Sequence, residues 1–382
     1  MRIAYANAFY RTRKSDGGNV HVHQFIRLAT RMGHEIWTWP GDEHPEAHHL
    51  SANRWARILQ LRRMDAIYMR VDFSPPGPSH WAIPPYRQII GAPVVVWEFN
   101  QIPEFGKVLG WSPEAIKGAI AGFQRYGRGC DLAICVSDKM AEYVRDHLGI
   151  ASVLVVPNGS DPDLFRPDVP PVPHIQRGEG QTHALWMGSG NLRSHHNLDL
   201  LKAAAWHLWE LDDHLDVQFH VIGVIPLGLM REMPPNVHYH GPEEYEALPG
   251  WLAAMDIGLC VYDPGPADFG SPLKLFDYMA SGLAVVATEH PQIRQVFQQM
   301  DQTDLLVPHG DAEALASAII RLARDRDRIR RLGEQGRKLV CDHYNWERAV
   351  RDAIGAIEAL QAQSRRAPSA QQAAPTAARR GG

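Results

Sequence analysis

Short apolar runs alternate with helix-periodic stretches along almost the whole chain, and this pattern narrows the choice of fold more than any other feature. Strand-like runs lie at 2–6, 35–39, 66–70, 94–98, 132–136 and 153–156. A proline- and glycine-rich connector follows, VVPNGSDPDLFRPDVPPVP. The alternation then restarts, with runs at 184–187, 217–222, 237–239, 257–261, 284–287 and 305–307. Strands alternating with helices predict a parallel sheet covered on both faces, and two rounds predict two such domains. The predicted class is α/β: a doubly wound, Rossmann-like domain at 1–160 and a second at 161–342. A helical segment at 343–362 and a polar tail at 363–382, QSRRAPSAQQAAPTAARRGG, end the chain. The tail cannot bury an apolar face and is predicted to be disordered. A chain of 382 residues suffices for two ordinary cores.

Composition removes several function classes. The formal net charge is −4, which argues against a nucleic-acid binder. The cysteines, at 130, 135, 260 and 341, form no C-x-x-C pair, so they read as reduced thiols and not as a zinc or disulfide framework. Histidine is abundant, at 20, but shows no consistent ligand spacing, and no metal site is predicted. No apolar run is long enough to span a membrane. MRIAYANAFY reads directly as a strand and not as a secretion signal. The expectation is a cytoplasmic protein.

Ligands of doubly wound sheets sit at the carboxyl ends of the strands. In the first domain this singles out the loop after strand one, Arg70, Glu98 with Asn100, and Ser137. In the second it singles out YDPGPADFGSPLKLFDYMASGLAVVATEH, at 262–290. Ser271 is suited to cap a helix that Pro272 would begin and Gly282 would end. Lys274, Asp277 and Ser281 fall on one polar stripe of that helix. A helix N-terminus with a lysine on its first turn and a carboxylate one turn later suits a phosphate with a hydroxylated sugar beyond it.

SPLKLFDYMASGLAVVAT is similar to the nucleotide-sugar segment of the retaining GT-B glycosyltransferases of the "group 1" family, glycosyltransferase family 4, and most of all to its S-P-x-K-x-F-E-Y-M-A subset. VVPNGSDPDLFRP resembles that family's hinge segment, and YNWERAV resembles the start of a last helix that crosses back onto the first domain. The resemblance covers nearly the whole chain. It implies two Rossmann-like domains with a cleft between them and retaining, metal-independent transfer of a sugar from a UDP-, GDP- or other nucleoside diphosphate donor. No further cofactor is implied. The acceptor would be a saccharide or a lipid-linked hydroxyl, in the synthesis of cell-envelope polysaccharide or another glycan. RWARILQLRR, with Trp55 among arginines, leaves peripheral contact with the inner face of a membrane open. A binding or accessory protein of the same fold without transfer is the alternative.

The resemblance also distributes roles. Gly17 and Gly18 become a phosphate- or sugar-facing turn, and Gly188 the glycine of the second domain's first loop. Arg193 and Lys274 become the cations for the diphosphate, beside the helix start at Gly270 and Ser271. Asp277 becomes the holder of the ribose hydroxyls. The family motif places an acid eight residues before Asp277, where this chain has Phe269. Asp268, one place earlier, is the first candidate for that role, and Glu98, with Asn100 beside it, is the second.

Overall fold

The computed structural model describes residues 1–6, 17–42, 44–71, 93–188, 196–211 and 215–366. In the first domain the chain runs β1 (Arg2–Ala6), α1 (Gly17–Arg31), β2 (Glu35–Thr38), β3 (His48–His49), α2 (Arg54–Leu61), β4 (Ala66–Arg70), β5 (Val94–Phe99), α3 (Pro113–Tyr126), β6 (Leu132–Cys135), α4 (Asp138–Asp146) and β7 (Val153–Val155). All strands are parallel, in the order β3-β2-β1-β4-β5-β6-β7. The second domain runs β8 (Thr182–Met187), α5 (Leu198–Glu210), β9 (Val217–Ile222), β10 (Val237–Gly241), β11 (Ile257–Cys260), α6 (Leu273–Ala280), β12 (Ala284–Thr288), α7 (Pro291–Gln298), β13 (Leu306–Val307), α8 (Ala312–Ala323) and α9 (Arg326–Asp342). Its sheet is also parallel, in the order β10-β9-β8-β11-β12-β13. Each order reverses beside the domain's first strand, between β1 and β4 and between β8 and β11. These two switch points are where such sheets hold ligands.

The central strands are apolar throughout because both of their faces are covered. All six residues of β5 and of β8 are buried, Glu98 and His183 included. The last helix, α10 (Trp346–Arg366), belongs structurally to the first domain. Its Trp346, Val350, Ala353, Ile354 and Ile357 share one core cluster with Ile3, Phe25 and Tyr68. Two segments therefore cross between the domains, and they pair with each other. Ser160 N donates to Tyr344 O and Trp346 N donates to Ser160 O, both at 3.0 Å.

Three local expectations need correction. α6 starts at Leu273 with Pro272 as its cap, and no side chain caps it. Ser271 Oγ instead accepts from Asn158 N at 3.1 Å, and Asn158 Nδ2 donates to Ser271 O at 2.8 Å. A hinge donor thus claims the hydroxyl that was expected to cap the helix. Second, α6 ends at Ala280 and not at Ser281, and its polar stripe is as buried as its apolar one. Every residue from Lys274 to Ala280 is buried, so its polar stripe faces the protein interior. Third, the last helix extends to Arg366, past its expected end at 362. The residues added are good helix formers, and Gln361 Nε2 anchors this turn to Asp65 O at 2.8 Å.

Candidate functional site at the domain boundary

On the second-domain side, the end of β8, the end of β11 and the first turn of α6 enclose one cation. Lys274 is 9 % exposed, and its Nζ has no hydrogen-bonding partner among the described residues. It lies 5.1 Å from the ring centres of both Trp186 and Tyr262. A Cβ on Gly188 would lie 2.5 Å from His196 Nδ1 and 3.1 Å from Lys274 Nζ, so a side chain there would crowd the histidine first and then the ammonium. Burial lowers the Lys274 pKa to about 8. Two aromatic faces partly compensate a buried cation, yet they accept no hydrogen bond in the way an anion would. His196 stands against the same wall, its ring 5.2 Å from that of Tyr262. Asn197 Nδ2 ties the start of α5 to Asp263 Oδ1 at 2.6 Å.

Asp277, one turn further along α6, is 5 % exposed. It accepts from Ser160 Oγ at 2.6 Å. Burial raises its pKa to about 7, with the Ser160 bond opposing and Asp161 adding to the shift. Ser271 and Asp277 thus bind the donor-side helix to Asn158 and Ser160 of the hinge.

The first-domain side is built differently. Glu98, at the end of β5, is 1 % exposed and lies 3.3 Å from His21 Nε2. Burial lowers the His21 pKa, against the pull of Glu98. Tyr68 and Tyr5 crowd the same carboxylate. Burial first, and then the Glu98 charge, hold both phenols well above their ordinary range. Asn100, turned so that its oxygen faces a donor, accepts from Arg70 Nε and Nη2 at 2.9 and 3.2 Å. Arg70 Nη1 in turn donates to Gly18 O at 2.6 Å, which fixes the first turn of α1. Gly17 meets the other domain directly, because a Cβ there would lie 2.5 Å from Leu273 Cδ1 at the start of α6.

Asp268 sits on the short turn before Gly270 and forms an ion pair with Lys139 of α4, at 3.1 Å across the boundary. Ser137 Oγ donates to Phe269 O at 2.7 Å and holds the same turn. The structure therefore gathers Gly17, Gly270, Ser271, Lys274 and Gly188 around the boundary. Asp268 lies on its rim, and Glu98 lies beneath the first sheet's end. Arg193 lies outside the described residues. Trp186, Tyr262, Lys139, Asn158 and Ser160 were not singled out from the sequence. The hinge motif P-N-G-S was the available signal for the last two.

Comparison with known proteins agrees with this layout. Residues 15–164 match the family model described as Glycosyltransferase Family 4, and residues 182–325 match that described as Glycosyl transferases group 1. A Bacillus subtilis (strain 168) protein named as a teichuronic acid biosynthesis glycosyltransferase, TuaH, is 38 % identical over 58 residues, a stretch that spans 15 % of each chain. Sucrose-phosphate synthase from Thermosynechococcus elongatus superposes with a TM-score of 0.72 at 19 % identity, over 95 % of this chain and 99 % of that one. Anabaena Alr3699/HepE, solved in complex with UDP-glucose, gives 0.67 at 13 % identity, over 94 % and 100 %. At such identities the structural likeness is one of fold, and that fold is GT-B.

Proposed function

We propose that this chain, a group 1, family 4-like glycosyltransferase of GT-B fold, moves a sugar from a nucleoside diphosphate to a hydroxyl acceptor with retention. The observation that carries the reading is Lys274. A buried ammonium without a hydrogen-bonding partner among the described residues, at the first turn of a helix and beside Gly188, is arranged to receive an anion. A leaving diphosphate gathers negative charge as its bond to the sugar breaks, and preorganised positive charge lowers that barrier. Lys274 and the free N–H groups of α6 supply it in this reading, with no metal required. Asp277, steadied by Ser160, takes the ribose hydroxyls. Asp268 meets the donor sugar from the rim. The bond from the anomeric carbon to the phosphate oxygen breaks, and the acceptor oxygen bonds that carbon on the same face. The acceptor proton passes to the departing phosphate, so no separate protein base is needed.

The acceptor in this reading is a glycan of the cell envelope, carried on a lipid. Trp55 and Leu59, one turn apart on α2, are 72 % and 59 % exposed among Arg54, Arg57, Arg62 and Arg63. An exposed aromatic–basic face of this kind suits an anionic bilayer surface. Among the described residues no helix is long and apolar enough to cross a membrane.

The test is a panel of nucleoside diphosphate sugars, with binding followed by calorimetry and transfer followed by product NMR. The expected results are one preferred donor, a product with the donor's anomeric configuration, and activity that survives chelator. An inverted product, or activity lost to chelator and restored by manganese or magnesium, overturns the mechanism. Cosedimentation with anionic vesicles, reduced by Trp55→Ala, checks the membrane contact.

A further inference from the structure

A second cavity lies at the domain boundary, on the hinge side, and shares none of the residues assigned to donor binding. Its volume is about 480 Å³, and α4, α7 and Tyr344 contribute to its wall. The sequence of α7 and its end, PQIRQVFQQ, is the reason for its chemistry. Ile293, Val296 and Phe297 are buried, while Gln292, Gln295, Gln298 and Gln299 all line the cavity. Three of these amides spend their nitrogens on the protein. Gln292 Nε2 donates to Val136 O at 3.1 Å, Gln295 Nε2 to Asp138 Oδ2 at 2.7 Å, and Gln299 Nε2 to the Tyr344 hydroxyl at 2.8 Å. The first two bonds cross between the domains. The carbonyl oxygens are left as acceptors. Gln292 is 3 % exposed, and its Oε1, closed off from solvent and without a partner among the described residues, lies within the wall, so the more open Gln295, Gln298 and Gln299 carry the polar lining.

We propose that this cavity is a binding site for a neutral saccharide. Amide oxygens and one carboxylate accept, while the remaining amide N–H groups and the Tyr344 hydroxyl donate, a mixed lining that suits a ligand rich in hydroxyls. Among the described residues no lysine or arginine lines the cavity, so none there neutralises a phosphate. The Tyr344 ring, stacked on Phe276 at 5.0 Å, adds a rigid aromatic edge. The ligand is either a free sugar or a sugar unit of a longer glycan. Because both domains build the walls, occupancy holds them in the arrangement described above. The proposal does not depend on the transfer reading.

The experiment is saturation-transfer NMR and calorimetry on the full chain. The probes are glucose, galactose, N-acetylglucosamine, their linear trisaccharides, and glucose 6-phosphate. The variant is Gln295→Leu/Gln299→Leu, which changes two exposed positions. Neutral sugars should bind saturably, and the double variant should weaken them about tenfold, the worth of one or two lost hydrogen bonds. Nucleoside diphosphate affinity should stay unchanged in the same variant. Trisaccharides binding more tightly than monosaccharides identify a glycan chain as the source, and equal binding identifies a free sugar. The proposal is overturned by absence of saturable binding, by equal binding to the variant, or by preference for the sugar phosphate. Failure of donor binding with the saccharide site intact would count against the transferase reading alone.

Discussion

Glu98 and Lys274 are both buried near the domain boundary, one in each domain, and their surroundings differ. Glu98 stands in a crowded set, with His21 at 3.3 Å and the phenols of Tyr5 and Tyr68 beside it. Asn100 and Arg70 extend that set to the backbone of α1. Lys274 stands alone between two aromatic faces. The first set packs its groups against one another and reaches the backbone of α1, although Glu98 Oε2, His21 Nδ1 and the Tyr5 hydroxyl are buried in it without a hydrogen-bonding partner among the described residues. A single ion of the second kind costs stability, and it is retained where a ligand completes it. The contrast is between a charge crowded by polar neighbours and a charge faced only by aromatic rings.

The largest effect should come from Lys274→Ala. Donor affinity should fall at least tenfold, since a hydrogen bond to a charged group contributes about 1.5–3 kcal/mol. Transfer should fall to background, while the melting temperature holds or rises because an unpaired buried charge is gone. A melting temperature that drops sharply with donor affinity intact would make Lys274 structural and end the contrast. Glu98→Gln should do the opposite. Loss of a charged acceptor from the His21 set should cost about 1–3 kcal/mol of stability in a denaturant titration, with donor affinity unchanged. Unchanged stability together with lost turnover would instead move Glu98 into the reaction.

A pH series sharpens the same point. Burial puts the Lys274 pKa at about 8, below its ordinary value, so the free protein loses this charge as pH rises through about 8. Below about pH 7 protonation of Asp277 should weaken the hold on the ribose hydroxyls; above about 8 donor affinity should fall because binding must then take up a proton on Lys274. Lys274→Ala should abolish the alkaline slope, and a slope that persists there would assign it elsewhere. The smallest effect is expected at the rim. Lys139 and Asp268 are 35 % and 17 % exposed, so Lys139→Met should change stability by less than about 1 kcal/mol. A larger change in the denaturant midpoint would show that this pair latches the domains.

The two-domain α/β fold was legible in the sequence because strand and helix periodicities are local. Ala66–Arg70 and Val217–Ile222 form strands with the bounds that their apolar runs gave. The two-residue strand His48–His49 was not legible, since its residues are polar and it exists only by pairing with β2. At the candidate site, Lys274 and the glycine loops stood out by their place at strand and helix ends. Their neighbours did not. The use of Ser271 by Asn158 joins positions 113 apart, and the Lys139–Asp268 pair joins positions 129 apart. Nothing in a local pattern signals such meetings. Glu98 shows the same limit, because a carboxylate at a strand end reads as exposed until α1 and α10 are seen to close over it.

The placement of α10 also has a consequence for how the chain is made. The first domain leaves the ribosome early, but Trp346, Val350, Ile354 and Ile357 of its core are translated only after the whole core of the second domain. Through most of synthesis, one wall of that domain is missing, and Phe25, Tyr68 and Ile134 await their cover. The second domain, whose buried core cluster runs from Phe165 to Val340 with Tyr344 packed against it, takes nothing for that core from α10. It can be complete while the domain that precedes it is still open. A stop shortly after residue 345 would therefore spare the later-made half and expose the earlier one to proteases and chaperones.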